Sequence, residues 1–88
     1  MKVTILYRGD SEQEHAVKEF ENEYMHRTGR MLFTSDVNDK DGAALAELYD
    51  IVRFPAVLAT TEDGSVLQLW QDGNLPLMNE VMYYDRPA

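Results

Sequence analysis

The segment YDIVRFPAVLATTEDGSVLQLWQDG, residues 49–73, decides the fold, because it predicts a strand, a tight turn and a second strand in one unit. The apolar run at residues 56–60 is typical of a strand that is buried on both faces. Residues 65–71 contain β-branched and aromatic side chains, and Asp63-Gly64 between the two runs accepts the positive φ that hairpin turns require. The segment therefore predicts an antiparallel hairpin.

Pro55 stands directly before the first strand of this hairpin. Because proline has no N–H to donate, it fits the first residue of a strand or a sheet edge, and it favours an extended conformation at Phe54. About 5–6% of X-Pro bonds in folded proteins are cis. The local sequence alone therefore favours a trans Phe54-Pro55 bond.

The composition of the chain predicts one domain over residues 1–88, since 44% hydrophobic and 27% charged residues are typical of a small globular protein. No apolar run approaches the roughly 18 residues that cross a membrane. The apolar stretch at the N-terminus is too short for a signal peptide. We therefore expect a cytoplasmic location and no membrane partner.

The net charge of −8 comes from 16 acidic and 8 basic residues. Because an acidic surface repels phosphate backbones, we expect no nucleic-acid partner. The acidity is explained by solubility, with a basic protein partner as the alternative. The chain contains no cysteine, which excludes disulfides, thiolate metal sites and thiol-based redox chemistry.

The first part of the chain predicts a strand at residues 2–7, followed by a helix from Ser11 to about Thr28. Ser11 and Glu14 are predicted to form a capping box at its start, and Gly29 is predicted to end it. Apolar residues at intervals of three and four are predicted to face inward: Ala16, Val17, Phe20, Tyr24 and Met25.

A second strand is predicted at residues 30–37, and a short helix at residues 43–49 follows a polar loop. Asp39 or Asp41 is predicted to cap this helix, because the loop lacks the spacing of an EF-hand calcium site. The side chains of the helix that are predicted to face inward are Ala44, Leu45, Leu48 and Tyr49.

After the hairpin, Asn74 is predicted to cap a last helix that has Pro76 in its first turn, and residues 86–88 are predicted to fray. The residues of this helix predicted to face the sheet are Leu77, Met78, Val81 and Met82. The resulting βαβαββα order predicts an α/β fold, a four-stranded mixed sheet with helices on both faces. Two crossovers predict parallel first strands with right-handed connections, and the last two strands are predicted to be antiparallel.

This element order, together with YDIVRFPAVLATTEDGSVLQLW, resembles the thioredoxin-like superfamily over essentially the whole chain. In thioredoxins a segment similar to Y-G-I-R-G-I-P-T precedes the same hairpin, and residues 49–56 occupy its place. The resemblance implies a three-layer thioredoxin-like sandwich. It also implies a cis bond before Pro55, because the family's proline at this point is cis.

The resemblance further implies that residues 11–14 stand where the family has C-G-P-C. Ser11 lies 44 positions before Pro55, the usual separation between the first cysteine and that proline. Ser11 and Glu14 take the places of the two cysteines, and the family's buried acidic residue falls near Ile5. The family's dithiol chemistry is therefore out of reach for this chain.

We therefore expect a redox-inactive thioredoxin-like domain that acts as a peptide-binding, protein-binding or scaffold module, with no catalytic residue. Family members hold extended peptides through backbone groups beside the proline. The binding residues that the resemblance implies, for a peptide or a thiol ligand, are Tyr7, Ser11, Glu14, Arg53, Phe54, Pro55 and Asp72.

The alternative is a glutathione-binding or glutathione-transferase-like enzyme, in which Ser11 at a helix N-terminus assists the substrate thiolate. Some relatives that resemble glutathione transferases use serine in this way. Gln71, Asp72 and Gly73 would then contact the far end of glutathione. Against this alternative, 88 residues leave no helical domain for a second substrate.

No cofactor and no metal are expected. His15 and His26 lie 11 positions apart at opposite ends of one helix, too far for joint metal ligation, and Trp70 and Tyr7 are predicted to pack on the sheet. The oligomeric state is open between a monomer and a weak homodimer. Self-association would involve the acidic surface and the side chains of Met78, Met82, Tyr83 and Tyr84.

Overall fold

A computed structural model describes residues 1–85 and confirms the predicted βαβαββα order. The elements are β1 (Lys2–Tyr7), α1 (Glu12–Thr28), β2 (Phe33–Asp36), α2 (Lys40–Leu48), β3 (Ala56–Thr60), β4 (Val66–Trp70) and α3 (Met78–Tyr84). The predicted fraying of residues 86–88 lies outside the described residues. No helix within residues 1–85 is both long enough and apolar enough to span a membrane.

The four strands form one mixed sheet in the order β2-β1-β3-β4. β1 and β2 are parallel, and β3 and β4 form the predicted antiparallel hairpin. β3 runs antiparallel to β1, so the prediction of parallel strands on both sides of the second helix was wrong. The loop of residues 49–55 returns the chain to the carboxyl end of β1, where Leu6 pairs with Ala56, and β3 therefore starts where β1 ends.

Helices cover both faces of the sheet, as predicted. Tyr24 of α1 and Val81 of α3 pack on the face that holds Val3 and Ile5, whereas Ala46 of α2 packs on the opposite face. Because side chains alternate along a strand, the central strands β1 and β3 supply apolar residues to both layers. All five residues of β3 are buried, which confirms the prediction for that strand.

α1 ends as predicted, at Gly29 with φ of 70°. The predicted capping box at its start is not formed. The Ser11 Oγ atom donates to the Arg8 carbonyl at 2.6 Å, which places it beside the Gln13 N–H, from which it accepts at 3.2 Å. Within residues 1–85 the Glu14 side chain makes no hydrogen bond to the Ser11 backbone, so Ser11 caps the helix without its predicted partner.

α2 begins three residues earlier than predicted, at Lys40, and faces the sheet through small residues. Gly42 and Ala46 are the buried positions, and a Cβ atom at Gly42 would lie 2.0 Å from the Asp36 carbonyl oxygen. This close approach turns Ala44 and Leu48 outward, so both were wrongly predicted to face inward. Asp39 occupies the N-cap position without a side-chain capping bond.

Other boundaries and burial predictions were also wrong. β2 starts at Phe33 rather than residue 30, and α3 is preceded by Leu77 as its N-cap rather than Asn74. Each helix contacts the sheet along a narrower stripe than its apolar residues suggested. The predicted inward side chains that are instead exposed on α1 and around α3 are Ala16, Met25, Leu77 and Met82.

A hydrogen-bonded cluster ties the end of α3 to the end of α1. The Tyr24 hydroxyl donates to Asp85 Oδ2 at 2.7 Å, and the Arg30 guanidinium donates to both oxygens of the same carboxylate at 3.1 and 3.3 Å. Tyr24 itself is only 1% exposed. The cluster therefore holds α3 against the face of the sheet that α1 covers.

Alkaline pH is expected to weaken the fold through Tyr24. Burial and then the hydrogen bond to Asp85 raise the pKa of its hydroxyl above the ordinary value of about 10. Above about pH 10 the unfolded chain loses this proton while the folded chain keeps it, so the free energy of unfolding should fall as the pH rises beyond about 10, until the hydroxyl of the folded chain also titrates. Urea denaturation should show a smaller fall for Tyr24→Phe than for wild type, and an equal fall would contradict the prediction.

Candidate functional site

The candidate site lies where the α2–β3 loop, residues 49–55, meets the start of α1. The Gln13 side chain connects the two, because its Nε2 donates to the Phe54 carbonyl at 3.0 Å while its Oε1 accepts from the Arg8 N–H at 3.0 Å. One amide therefore links Arg8 to Phe54, and its bond to Phe54 spans a sequence distance of 41 residues. This bridge holds the α2–β3 loop against residues 11–14, the segment that the resemblance places where thioredoxins have C-G-P-C.

Phe54 and Pro55 form the inner part of the α2–β3 loop. Pro55 is buried, and the Phe54-Pro55 bond is cis, as the resemblance implied and against the preference of the local sequence. Phe54 is half-buried, and the Arg8 guanidinium carbon lies 5.1 Å from the centroid of its ring. A cation over an aromatic face at an exposed site is worth about 0.5–1 kcal/mol, which adds to the Gln13 bridge.

The outer part of the α2–β3 loop presents exposed side chains and, among the described residues, backbone N–H groups that have no protein acceptor. Val52 is 75% exposed, and Arg53 is exposed beside it. Within residues 1–85 neither the Arg53 N–H nor the Phe54 N–H donates to a protein acceptor, whereas the Val52 N–H donates to Gln71 Oε1 at 3.4 Å. The loop therefore offers two backbone donors, a guanidinium and an apolar side chain on one short segment.

A second polar cluster supports the β1–α1 loop. The Asp36 carboxylate accepts from the Gly9 N–H and from the Asn38 N–H, each at 2.9 Å, and the Asn38 side chain donates to the Gly9 carbonyl at 3.1 Å. Because β1 and β2 are parallel, their carboxyl ends lie side by side, and the loops that follow them can be joined directly. Asp36 and Asn38 therefore fix the position of the segment that carries Arg8.

Gly9 lies so close to Asp36 that a larger residue would require the Asp36 carboxylate to move. A Cβ atom at Gly9 would lie 1.9 Å from Asp36 Oδ2, closer than any real contact. Gln13, Asp36 and Asn38 were not predicted from the sequence to be site residues. The D-V-N run at the end of β2 was a signal for Asp36 and Asn38. β2 is parallel to β1, and polar side chains at the carboxyl end of one parallel strand contact the loop that follows its neighbour.

The other predicted site residues have local roles. Tyr7 packs against the core under α1, and burial, followed by the charge of Asp36, raises the pKa of its hydroxyl. Asp72 is exposed, and its Oδ1 accepts from the Asn74 N–H at 3.0 Å in the turn after β4. Glu14 is half-buried in the first turn of α1. The structure thus joins the start of α1 to Phe54 through Gln13, while Tyr7 faces the core.

The charges around the candidate site are mixed. Residues 8–14 and residues 36–41 each carry a net charge of −2, and residues 71–74 carry −1. Arg8 and Arg53 lie among them, and neither forms an ion pair within residues 1–85. Because like charges repel, this arrangement disfavours a strongly acidic ligand and favours a neutral or basic one.

No protein-family model matches the chain, and no curated protein matches it. The structure itself defines the class: a compact α/β domain without cysteine, whose topology is consistent with a thioredoxin-like fold. Because the chain contains no cysteine, it cannot perform thiol–disulfide chemistry of the C-x-x-C type. Within the part of the chain described, no group of three potential ligands could hold a metal ion.

Proposed function

We propose that the chain is a redox-inactive thioredoxin-like domain that binds an extended peptide or protein segment at the α2–β3 loop. The observation that supports this function is the Gln13 bridge, which fixes the loop against α1. Among the described residues, no acceptor pairs with the N–H groups of Arg53 and Phe54 in the same loop. A rigid loop with unpaired donors can bind an extended chain without first being ordered.

An extended segment beside the loop would accept hydrogen bonds from the Arg53 and Phe54 N–H groups. The Phe54 carbonyl already accepts from Gln13, but its second lone pair can accept from a ligand N–H. An apolar ligand side chain would pack on Val52. Each backbone hydrogen bond contributes about 0.5–1.5 kcal/mol net, so we expect weak binding, with Kd between about 10 μM and 1 mM.

The glutathione-dependent alternative has no observation in its favour. It needs the Ser11 hydroxyl for a substrate thiolate, and this hydroxyl already donates to the Arg8 carbonyl and accepts from the Gln13 N–H. The dipole at the start of α1 is an ordinary property of any helix N-terminus. Peptide binding is therefore the function that we put forward.

Peptide binding is expected to perturb the candidate site and to weaken when Arg53 is replaced. Linear heptapeptides would be selected from a display library against the full chain, and the enriched peptide titrated into isotope-labelled protein by NMR. We expect shifts at the amides of Arg8, Arg53, Phe54 and Asp72. Arg53→Ala removes the loop's guanidinium and should weaken binding by about 3-fold to 10-fold.

Arg27→Ala is the matched control, since Arg27 is exposed at the far end of α1 and, within residues 1–85, forms an ion pair only with Glu23 on its own helix. It should leave peptide affinity unchanged. Shifts confined to amides remote from the α2–β3 loop would reject the site, as would an equal loss of affinity in both variants. If no peptide is enriched over a library without the protein, the proposed function itself fails.

A further inference from the structure

A groove lined by aromatic side chains separates β4 from α3, with a volume of about 290 Å³. Gln68 and Trp70 line it from β4, where a spacing of two places them on one face of the strand. Glu80, Tyr83 and Tyr84 line it from α3, where spacings of three and four place them on one face of the helix. The packing of α3 beside β4 therefore brings three aromatic rings, a carboxylate and an amide to one place.

The three rings form a corner rather than a flat platform. The Tyr84 ring lies at 75° to the Trp70 ring, with centroids 5.5 Å apart, and at 81° to the Tyr83 ring, with centroids 5.0 Å apart. Trp70 and Tyr84 also pack against the core, whereas Tyr83 is 59% exposed and belongs to no core cluster. Because adjoining rings that are nearly perpendicular present their faces in different directions, a compact group in the groove can contact more than one face.

The charges around the groove favour a cation. Residues 54–85 contain five acidic residues and no lysine, arginine or histidine. The Trp70 indole N–H donates to Glu80 Oε2 at 3.2 Å, so a carboxylate lies beside the rings. Within residues 1–85, Asp85 is paired with Arg30, whereas no cation pairs with Glu80. Because the face of an aromatic ring also attracts positive charge, the rings and the carboxylate both favour a positively charged ligand.

We propose that this groove binds a small free molecule that carries a trimethylammonium group. The methyl groups give the cation an apolar surface that packs on aromatic faces, and such a cation needs no hydrogen-bond acceptor. The volume of the groove lies at the lower end of the range of small-molecule sites, about 300–1,000 Å³, which favours one small ligand. The groove is separate from the α2–β3 loop, so the proposal is independent of peptide binding.

NMR titration of the full chain with choline, at constant ionic strength, tests the proposal. Trp70 is the single tryptophan of the chain, so its indole N–H gives one resonance that reports on the groove. We expect this resonance to shift and to saturate with a Kd of about 1–10 mM, as a few cation–π contacts at a partly exposed site should give. The tert-butyl analogue of choline has the same shape without the charge, and it should bind about tenfold more weakly or not at all.

Two pairs of matched variants separate the groove from the rest of the surface. Tyr83→Leu removes a ring from the groove and should weaken choline binding by about 5-fold or more, whereas Phe33→Leu makes a similar change at a side chain that is 58% exposed on β2. Glu80→Gln removes the carboxylate and should weaken binding by about 3-fold or more, whereas Glu62→Gln makes the same change of net charge between β3 and β4. Both controls, and Tyr83→Phe, which keeps the ring, should bind choline as wild type does.

An indole resonance that does not move at ten times the expected Kd would overturn the proposal. Equal binding of choline and its tert-butyl analogue would also overturn it, because the positive charge would then contribute nothing. Equal losses in a groove variant and its matched control would show that choline binds elsewhere. A trimethyllysine peptide or phosphatidylcholine vesicles that bound more tightly than choline would overturn the assignment to a small free molecule. Tyr83 and Glu80 are both exposed, so their variants should fold, which urea denaturation checks.

Discussion

Tyr24→Ala is expected to lower the free energy of unfolding by about 3–5 kcal/mol, the usual cost of truncating a large buried aromatic side chain. The Tyr24 ring is 1% exposed in the core between α1 and the sheet, with the Phe20 ring stacked 6.5 Å away. The substitution leaves a cavity and also removes the hydroxyl that binds Asp85. A domain of this size has a total stability of about 4–13 kcal/mol, so urea denaturation should show a large part of it lost.

Two variants separate the contributions to this loss. Tyr24→Phe keeps the ring and removes only the hydrogen bond to Asp85, which should cost about 1 kcal/mol. Phe33→Ala truncates an aromatic side chain that is 58% exposed and should cost less than about 1 kcal/mol. If Tyr24→Ala cost no more than Tyr24→Phe, the packing of the ring would contribute little, against our reading of the core.

Gly42→Ala is expected to destabilise the protein by about 1–3 kcal/mol, although alanine is the better helix former by about 1 kcal/mol. A Cβ atom at this position would lie 2.0 Å from the carbonyl oxygen and 2.5 Å from the carbonyl carbon of Asp36. Because backbone atoms cannot rotate aside, α2 would have to move away from β2. The amides of Gly9 and Asn38, which donate to the Asp36 carboxylate, should shift in the NMR spectrum as a result.

Ala44→Gly is the opposite change on the exposed face of the same helix. Helix propensity alone predicts that it costs about 1 kcal/mol and that Gly42→Ala gains about as much. We expect both variants to be less stable than wild type in urea. A stabilised Gly42→Ala would show that α2 does not contact the end of β2 as closely as the structure indicates.

The elements with strong local signals were predicted well. β1, β3 and the end of α1 lie at their predicted residues, because an alternating or continuous apolar run and a left-handed glycine act over a few neighbouring positions. α2 was predicted to start at residue 43, since Lys40, Asp41 and Gly42 resemble a loop. They are helical, and Gly42 packs against the backbone of Asp36, a contact that no local pattern reveals.

The candidate site was predicted only in part. The alignment with thioredoxins pointed to Phe54, Pro55 and Ser11, and the structure places the start of α1 against Phe54. It does so through Gln13, whose position within the motif suggested no role. Asp36 acts on Gly9 across 27 residues, so its role depends on the parallel pairing of β1 and β2.

By itself the sequence determined the order of the elements, the hairpin and the exclusion of thiol–disulfide chemistry, because these depend on composition and on neighbouring residues. The tertiary structure alone decided the direction of β3, the buried side of α2 and the Gln13 bridge. Each of these joins segments far apart in the chain. These features depend on which distant segments come close together in space. A pattern of neighbouring residues does not contain that information.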